Sequence, residues 1–129
     1  MQELVQRWHQ IVQNADTQLL KEILDDEVVM HSPVVFRPLP GRAIVEFYLQ
    51  AAFHTLVNDS FQYVREVVGE RDAMLEFTVE IDGVFINGVD MIKCNENGKI
   101  IDFKVMLRPL KAVHFIHQKM GEMLERMKG

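Results

Sequence analysis

A run of alternating residues in the middle of the chain is the feature that most restricts its fold. Between Ala73 and Ile81 every second residue is apolar, and most of the residues between them are polar. A period of two is typical of a β-strand with one buried face. The Asp82-Gly83 pair that follows is the strongest short signal for a two-residue hairpin turn. The segment therefore predicts antiparallel strands in a sheet that is covered on one face.

Helical spacing of apolar residues predicts four helices around this sheet. The first lies near the N-terminus, the second follows Asp16 as its N-cap, the third covers Arg42–Val57, and the fourth follows Pro109. The apolar faces of the first two helices are formed by Leu4, Val5, Trp8, Ile11, Val12, Leu19, Leu20, Ile23 and Leu24.

The remaining segments predict further strands and one loop. A short strand is expected at Val28–His31, and residues 33–41 contain three prolines and a glycine, which excludes a helix or a central strand there. Strands are also expected from Phe61, over Val84–Cys94 and over Lys99–Arg108. This order of elements predicts an α+β fold with helices packed on one face of an antiparallel sheet.

Length, charge and cysteine content restrict the class of protein. A chain of 129 residues predicts a single domain over 1–129. With 14 basic and 19 acidic residues the net charge is −5, which disfavours nucleic acid and anionic membranes as partners. Cys94 is the only cysteine, so no internal disulfide can form. No signal peptide or membrane-spanning run is expected, and the predicted location is cytoplasmic.

Asp90 is a carboxylate inside a predicted apolar strand, and the first hairpin determines which way it faces. If Asp82-Gly83 is a two-residue turn, Ile81 pairs with Val84 and Asp90 pairs with Leu75. Asp90 then lies on the apolar side of the sheet, which the helices cover.

The second hairpin leaves two registers open. A two-residue turn at Asn97-Gly98 pairs Asp90 with Val105, whereas a three-residue loop with a left-handed Gly98 pairs it with Lys104 and turns Arg108 to the same face. The hydrophobic pattern favours the first register, which leaves Arg108 on the outer face. That register collects the apolar side chains of three strands on one face, namely Leu75, Phe77, Val79, Ile86, Ile92, Phe103, Val105 and Leu107.

A carboxylate on such a face is costly to ionise. Burial raises the pKa of an aspartate, so Asp90 either keeps its proton or has a buried donor. Both states make Asp90 a candidate site residue. The alternative is a core aspartate that binds a backbone amide or Trp8.

Three stretches of the sequence resemble a known superfamily. They are LVQRWHQIVQNADTQLLKEILDDEVVMHSP, SPVVFRPLPGRAIVEFY and GVDMIKCNENGKI, and the resemblance that they carry covers nearly the whole chain up to about Pro109. In order and spacing they resemble the nuclear transport factor 2-like superfamily, and within it the ketosteroid isomerase and SnoaL-like cyclase branch. The resemblance implies a cone-shaped curved sheet (a cystatin-like roll) around the N-terminal helices, an apolar pocket, and a homodimer formed through the outer face of the sheet. The last helix is an addition to this pattern.

The resemblance also implies roles for individual residues. Asp90 matches the protonated aspartate that holds an oxyanion in the isomerases, and Trp8 matches their oxyanion-binding tyrosine. Ser32 matches the catalytic base, and Tyr48 matches a supporting tyrosine. A serine hydroxyl is too weakly basic to replace a carboxylate base. The resemblance therefore implies an inherited pocket without steroid-type isomerisation.

His31 is the best replacement for the missing base, because histidine titrates near neutrality. It is next to Ser32 at the expected pocket rim, but its position in a strand also allows it to face outward as a surface residue. We therefore predict Asp90, Tyr48 and His31 as catalytic candidates. The predicted ligand-binding residues are Trp8, Ser32, Phe77, Phe103 and Val105.

Cofactor and metal signals are weak. The chain has neither a GxGxxG fingerprint nor a P-loop, and His114 and His117 lack a third ligand nearby, so no cofactor and no metal are expected. Three functions stay open at this point. The first is an enzyme that acts on an apolar, oxygen-bearing small molecule by isomerisation, cyclisation or hydration. The second is a non-catalytic protein that binds a hydrophobic metabolite. The third is a structural dimer module whose pocket is filled by its own side chains.

Overall fold

Four helices and a six-stranded sheet make up the fold in the computed structural model, which describes residues 1–128. The helices are α1 (Gln2–Asn14), α2 (Thr17–Ile23), α3 (Arg42–Leu56) and α4 (Leu110–Lys128). The strands are β1 (Leu24–His31), β2 (Leu39–Pro40), β3 (Gln62–Val68), β4 (Asp72–Ile81), β5 (Val84–Cys94) and β6 (Ile100–Arg108). The predicted α+β class with a curved sheet and a C-terminal helix is confirmed.

The strands are arranged in the order β2-β1-β6-β5-β4-β3. Strands β3 to β6 form an antiparallel meander, and β1 joins its free edge by pairing with β6 in parallel. The sheet is therefore mixed, because β1 and β6 are distant in the sequence and no turn sets their relative direction. Strand β1 also begins at Leu24, directly after α2, and thus earlier than predicted.

The first hairpin has the predicted geometry. Asp82 and Gly83 have φ values of 50° and 79°, as a type I′ turn requires, and Ile81 pairs with Val84. The pairing of Asp90 with Leu75 follows, and the predicted register is confirmed.

The second hairpin combines features of both predicted alternatives. Asn95 and Lys99 close a three-residue loop in which Gly98 has a φ of 73°, as in the alternative with the longer loop. A bulge at Ile101 then shifts the pairing by one residue. Asp90 therefore pairs with Val105, the register that the hydrophobic pattern favoured.

The inner face of the sheet and the helices enclose the main core. Asp16 caps α2 as predicted, since its Oδ1 accepts a hydrogen bond of 3.0 Å from the amide of Leu19. The largest fully buried side chains of this core include Trp8, Leu75 and Phe103. None of the helices within residues 1–128 is both long enough and apolar enough to cross a membrane.

Candidate functional site

A cavity of about 230 Å³ lies between the inner face of the sheet and helices α1, α3 and α4. Its wall is almost entirely apolar, and Phe77, Phe103 and Val105 of the sheet contribute to it. The polar or titratable side chains in the wall are few, namely Ser32, Tyr48, Tyr63, Asp90 and His117. An apolar pocket with a few convergent polar groups is typical of a small-molecule site.

Asp90 is the only buried charged or polar residue within residues 1–128, and 7% of its surface is exposed. Burial among apolar groups raises its pKa from 3.8 to about 7, although a hydrogen bond from Tyr63 opposes this shift. Its Oδ2 accepts that bond at 2.7 Å, while Oδ1 has no hydrogen-bond partner in the part of the chain that the structure describes. Asp90 can therefore present a proton to the cavity near neutral pH.

Tyr63 connects Asp90 to α1. Its hydroxyl donates to Asp90 and accepts a hydrogen bond of 2.9 Å from Nε1 of Trp8. Burial and the nearby Asp90 carboxylate raise the pKa of Tyr63 well above its ordinary value. A chain of hydrogen bonds thus runs from Trp8 through Tyr63 to Asp90 and ends at the cavity. In such a chain each hydrogen bond strengthens the next.

Tyr63 was not among the predicted site residues. The β3–β4 pairing shows why, because Val64 is an extra residue between the pairs Tyr63–Phe77 and Arg65–Glu76. This bulge turns Tyr63 to the same face as Phe77, whereas an unbroken register would have turned it outward. The available signal was the aromatic pair Phe61 and Tyr63, two residues apart at the start of a strand.

Trp8, the predicted match for the oxyanion-binding tyrosine, reaches Asp90 only indirectly, through its hydrogen bond to Tyr63. Its indole is buried against Phe53 and Phe103, with ring centroids 5.6 Å and 4.9 Å away. Its N–H is used by Tyr63, so Trp8 forms part of the cavity wall without offering a free donor.

Ser32 and Tyr48 line the cavity, but His31 does not. The hydroxyl of Ser32 accepts a hydrogen bond of 3.2 Å from the amide of Val34. Nε2 of His31 lies 3.1 Å from Oδ2 of Asp102 on the neighbouring strand. The sequence placed His31 at the pocket rim and left open that it faces outward. In the structure it faces outward, because adjacent residues of a strand face opposite sides and Met30, not His31, reaches the cavity.

The aromatic part of the wall depends on Gly88. Phe61 and Phe77 stack with ring centroids 5.1 Å apart, and Gly88 faces Phe77 across the β4–β5 pair. A Cβ atom at position 88 would lie 2.4 Å from Cζ of Phe77. The missing side chain therefore lets Phe77 lie flat in the wall of the cavity.

Helix α4 covers the remaining side of the cavity. It packs against α3, β5 and β6, and one stripe of it contributes His117, Met120, Gly121 and Leu124 to the wall. No group of three or more potential metal ligands occurs within residues 1–128.

Comparisons with known proteins agree with this architecture. Residues 5–103 match the model of the SnoaL-like domain family, and none of the curated proteins matches the chain. A steroid delta-isomerase from Pseudomonas aeruginosa is 28% identical, with a TM-score of 0.84 over 97% of this chain and 88% of that one.

Two further solved structures are similar. An uncharacterized bacterial protein with a cystatin-like fold, from Silicibacter pomeroyi DSS-3, is 29% identical, with a TM-score of 0.87 over 95% of this chain and 85% of that one. The epoxide hydrolase/cyclase-like enzyme SalBIII, which acts in pyran ring formation in the polyether salinomycin, is 17% identical, with a TM-score of 0.68 over 83% and 89% of the two chains. At this identity the likeness to SalBIII is one of fold alone.

Proposed function

Because the chain belongs to the SnoaL-like domain family, we propose that its cavity binds an apolar small molecule through one oxygen atom and promotes its isomerisation through an enol. This differs from the expectation of a pocket without steroid-type isomerisation, which rested on the missing base at Ser32 and requires a base elsewhere in the cavity. Asp90 is the residue that binds the ligand oxygen, and Tyr63 supports it.

The observation that carries the proposal is the state of Asp90. A carboxyl group whose pKa is raised to about 7 keeps its proton on roughly half of the molecules at neutral pH. Asp90 lines the cavity, its Oδ2 is held by Tyr63, and its Oδ1 has no hydrogen-bond partner among residues 1–128. A neutral carboxyl in this position can donate a hydrogen bond to a carbonyl oxygen and stabilise the negative charge that develops when the ketone enolises.

The surroundings of Asp90 favour an apolar ligand. A water-poor cavity strengthens the hydrogen bond to the ligand oxygen, and the aromatic pair Phe61–Phe77 offers a flat surface for a ring. The steroid delta-isomerase that is 28% identical supports an apolar, steroid-like ligand and an isomerisation as reaction. SalBIII supports the fold alone.

We expect the protein to catalyse exchange of the protons next to the carbonyl of β-tetralone, an apolar bicyclic ketone, in D₂O. In Asp90→Asn the amide remains a weaker donor of similar shape, so the exchange rate should fall by roughly 10- to 100-fold. Proton NMR of β-tetralone measures this rate. Binding of 2-naphthol, a phenol with the same ring skeleton, should weaken by a smaller factor, because the amide can still donate a hydrogen bond to its oxygen.

The matched control is Asp72→Asn, which removes the same charge from an exposed position on β4. It should exchange β-tetralone at the rate of the unaltered protein. Equal rates for Asp90→Asn and the unaltered protein would remove Asp90 from the proposed mechanism.

A non-catalytic binding protein is the second candidate, and Ser32 is the observation that favours it. Ser32 occupies the position that the resemblance assigns to the base, and its oxygen is engaged by the amide of Val34. Binding of 2-naphthol without exchange of β-tetralone would support this candidate. The third reading, a module with a filled pocket, is disfavoured by the cavity of about 230 Å³.

We also propose a homodimer formed through the outer face of the sheet. Val67, Phe85 and Met106 expose 62%, 59% and 50% of their surfaces on β3, β5 and β6, where each faces away from the helices. A face of this kind is typical of an interaction surface.

We expect light scattering at micromolar concentration to give the mass of two chains. Met106→Asp should give the mass of one chain, because an unpaired carboxylate would be buried in the contact. Phe36→Asp is the control, since Phe36 is 102% exposed but lies in the loop before α3. A single-chain mass for the unaltered protein would argue against the dimer.

A further inference from the structure

The proposed isomerisation requires a group that accepts a proton, and the predicted candidates do not supply it. His31 lies outside the cavity and Ser32 carries only a hydroxyl. Asp90 is already used as the hydrogen-bond donor. The acceptor must therefore come from another element of the cavity wall.

We propose that His117 of α4 accepts and returns this proton. The inference rests on the proposed function and identifies the proton acceptor that the isomerisation requires. Within residues 1–128 the titratable side chains in the cavity wall are Tyr48, Tyr63, Asp90 and His117. Tyrosine hydroxyls keep their protons at neutral pH, whereas a histidine side chain can take up and release one.

The helix places His117 at the mouth of the cavity. His117, Met120, Gly121 and Leu124 follow the three- and four-residue spacing of one helix face, and all of them line the cavity. The imidazole forms no hydrogen bond or ion pair with any residue among 1–128, and it is exposed enough to exchange protons with water. It is thus available to a ligand from one side and to solvent from the other.

Gly121 keeps the imidazole uncovered. In a helix the side chain at i+4 leans back over residue i, so a side chain at position 121 would cover His117. A Cβ at Gly121 would meet nothing within 4 Å, and Gly121 itself lines the cavity. Glycine is unfavourable inside a helix relative to alanine, so its presence at position 121 fits a need to leave the imidazole uncovered.

Few charges surround His117. Tyr48 on α3, Tyr63 on β3 and Asp90 on β5 are the titratable groups that face the same cavity, while the cavity residues of β6 are apolar. On α4 itself, His114 is the titratable residue one turn away. Among residues 1–128, Asp90 is thus the carboxylic acid that shares the cavity with the imidazole. One residue can therefore donate the hydrogen bond while the other accepts the proton.

The proposed step is balanced without a cofactor. His117 removes a proton from the carbon next to the carbonyl, the C–H electron pair becomes the C=C bond, and the C=O π pair moves onto the oxygen that Asp90 binds. Return of the proton to a carbon of the enol restores His117 and gives the isomer or the starting ketone. In D₂O the returned atom is deuterium, so exchange of β-tetralone reports the same step.

The test compares His117→Gln with His114→Gln, which changes an exposed histidine of the same helix that does not line the cavity. We expect His117→Gln to slow the exchange of β-tetralone about 100-fold, since a positioned acid–base group contributes roughly 10²- to 10⁴-fold. The dissociation constant of 2-naphthol should change less than about twofold, because the imidazole is not the group that binds oxygen. His114→Gln should behave as the unaltered protein.

The pH profile separates a proton acceptor from a structural residue. The exchange rate should fall as Asp90 loses its proton at about pH 7, and Asp90→Asn should lack this falling limb. His117→Gln should change the shape of the profile, because it removes the proton acceptor. Gly121→Leu should slow exchange by roughly tenfold or more, because it covers the imidazole while leaving it in place.

The outcomes are distinguishable. Exchange by His117→Gln with the rate and the pH profile of the unaltered protein overturns this inference and leaves the proposed function standing. Absence of exchange in the unaltered protein, with 2-naphthol still bound, overturns both the proposed catalysis and the role of His117.

Discussion

Asp90→Asn is expected to be more stable than the unaltered protein at pH 8 and about equally stable at pH 4. The pKa of Asp90 is raised from 3.8 to about 7 in the folded protein, chiefly by burial. Between these two values the folded chain retains a proton that the unfolded chain has released. The free energy of unfolding therefore falls as the pH rises through this window, and the loss is complete above pH 7.

The size of this difference in the free energy of unfolding follows from the pKa shift of Asp90. One pKa unit corresponds to about 1.4 kcal/mol, and the interval from 3.8 to about 7 is about three units, so Asp90 should cost the folded protein about 4 kcal/mol at pH 8. Asparagine cannot ionise, and its side-chain oxygen can still accept the hydrogen bond from Tyr63. The advantage of the variant should thus grow from near zero at about pH 4 to a few kcal/mol at about pH 8.

Urea unfolding of both proteins at several pH values, followed by circular dichroism, measures this difference. Asp72→Asn is the control, because it removes an exposed carboxylate and should show no comparable growth with pH. A constant difference between Asp90→Asn and the unaltered protein across the range would show that folding does not raise the pKa of Asp90. The case for a protonated donor would then fail.

The position of Asp90 could be predicted from the sequence because two local rules agree there. The Asp82-Gly83 turn fixes one pairing, and the apolar pattern fixes which face is covered. In the second hairpin the loop has three residues, yet the bulge at Ile101 restores the register that buries the most apolar surface. Burial of a whole strand face thus outweighs the preference of a single turn.

The partner of Asp90 could not be predicted in the same way. A single extra residue, Val64, reverses the face of Tyr63, and a bulge leaves no distinct mark in a short strand with mixed polarity. The parallel pairing of β1 with β6 and the packing of α4 over the cavity are also long-range features. The sequence therefore predicted the buried acid and the superfamily, whereas the hydrogen-bond chain and the role of α4 required the tertiary structure.

The hydrogen-bond chain makes a second strong prediction, which concerns Tyr63→Phe. Loss of the hydroxyl leaves the buried N–H of Trp8 without an acceptor and Asp90 without its donor. An unpartnered buried polar group costs roughly 1–3 kcal/mol, and a hydrogen bond to a charged group contributes roughly 1.5–3 kcal/mol. We expect a loss of about 3–4 kcal/mol at pH 8, where Asp90 is charged, and of about half as much at pH 5, where it is protonated.

The same variant should raise the pKa of Asp90 further, because the hydrogen bond from Tyr63 is the contact that lowers it. Urea unfolding at the two pH values tests the stability, and carbon-13 NMR of the Asp90 carboxyl group follows its titration. Tyr48→Phe is a matched control, since Tyr48 lines the same cavity and its hydroxyl forms no hydrogen bond within residues 1–128. If Tyr63→Phe lost the same stability at both pH values, the hydroxyl would stabilise Trp8 alone, and Asp90 would act in the cavity without support from α1.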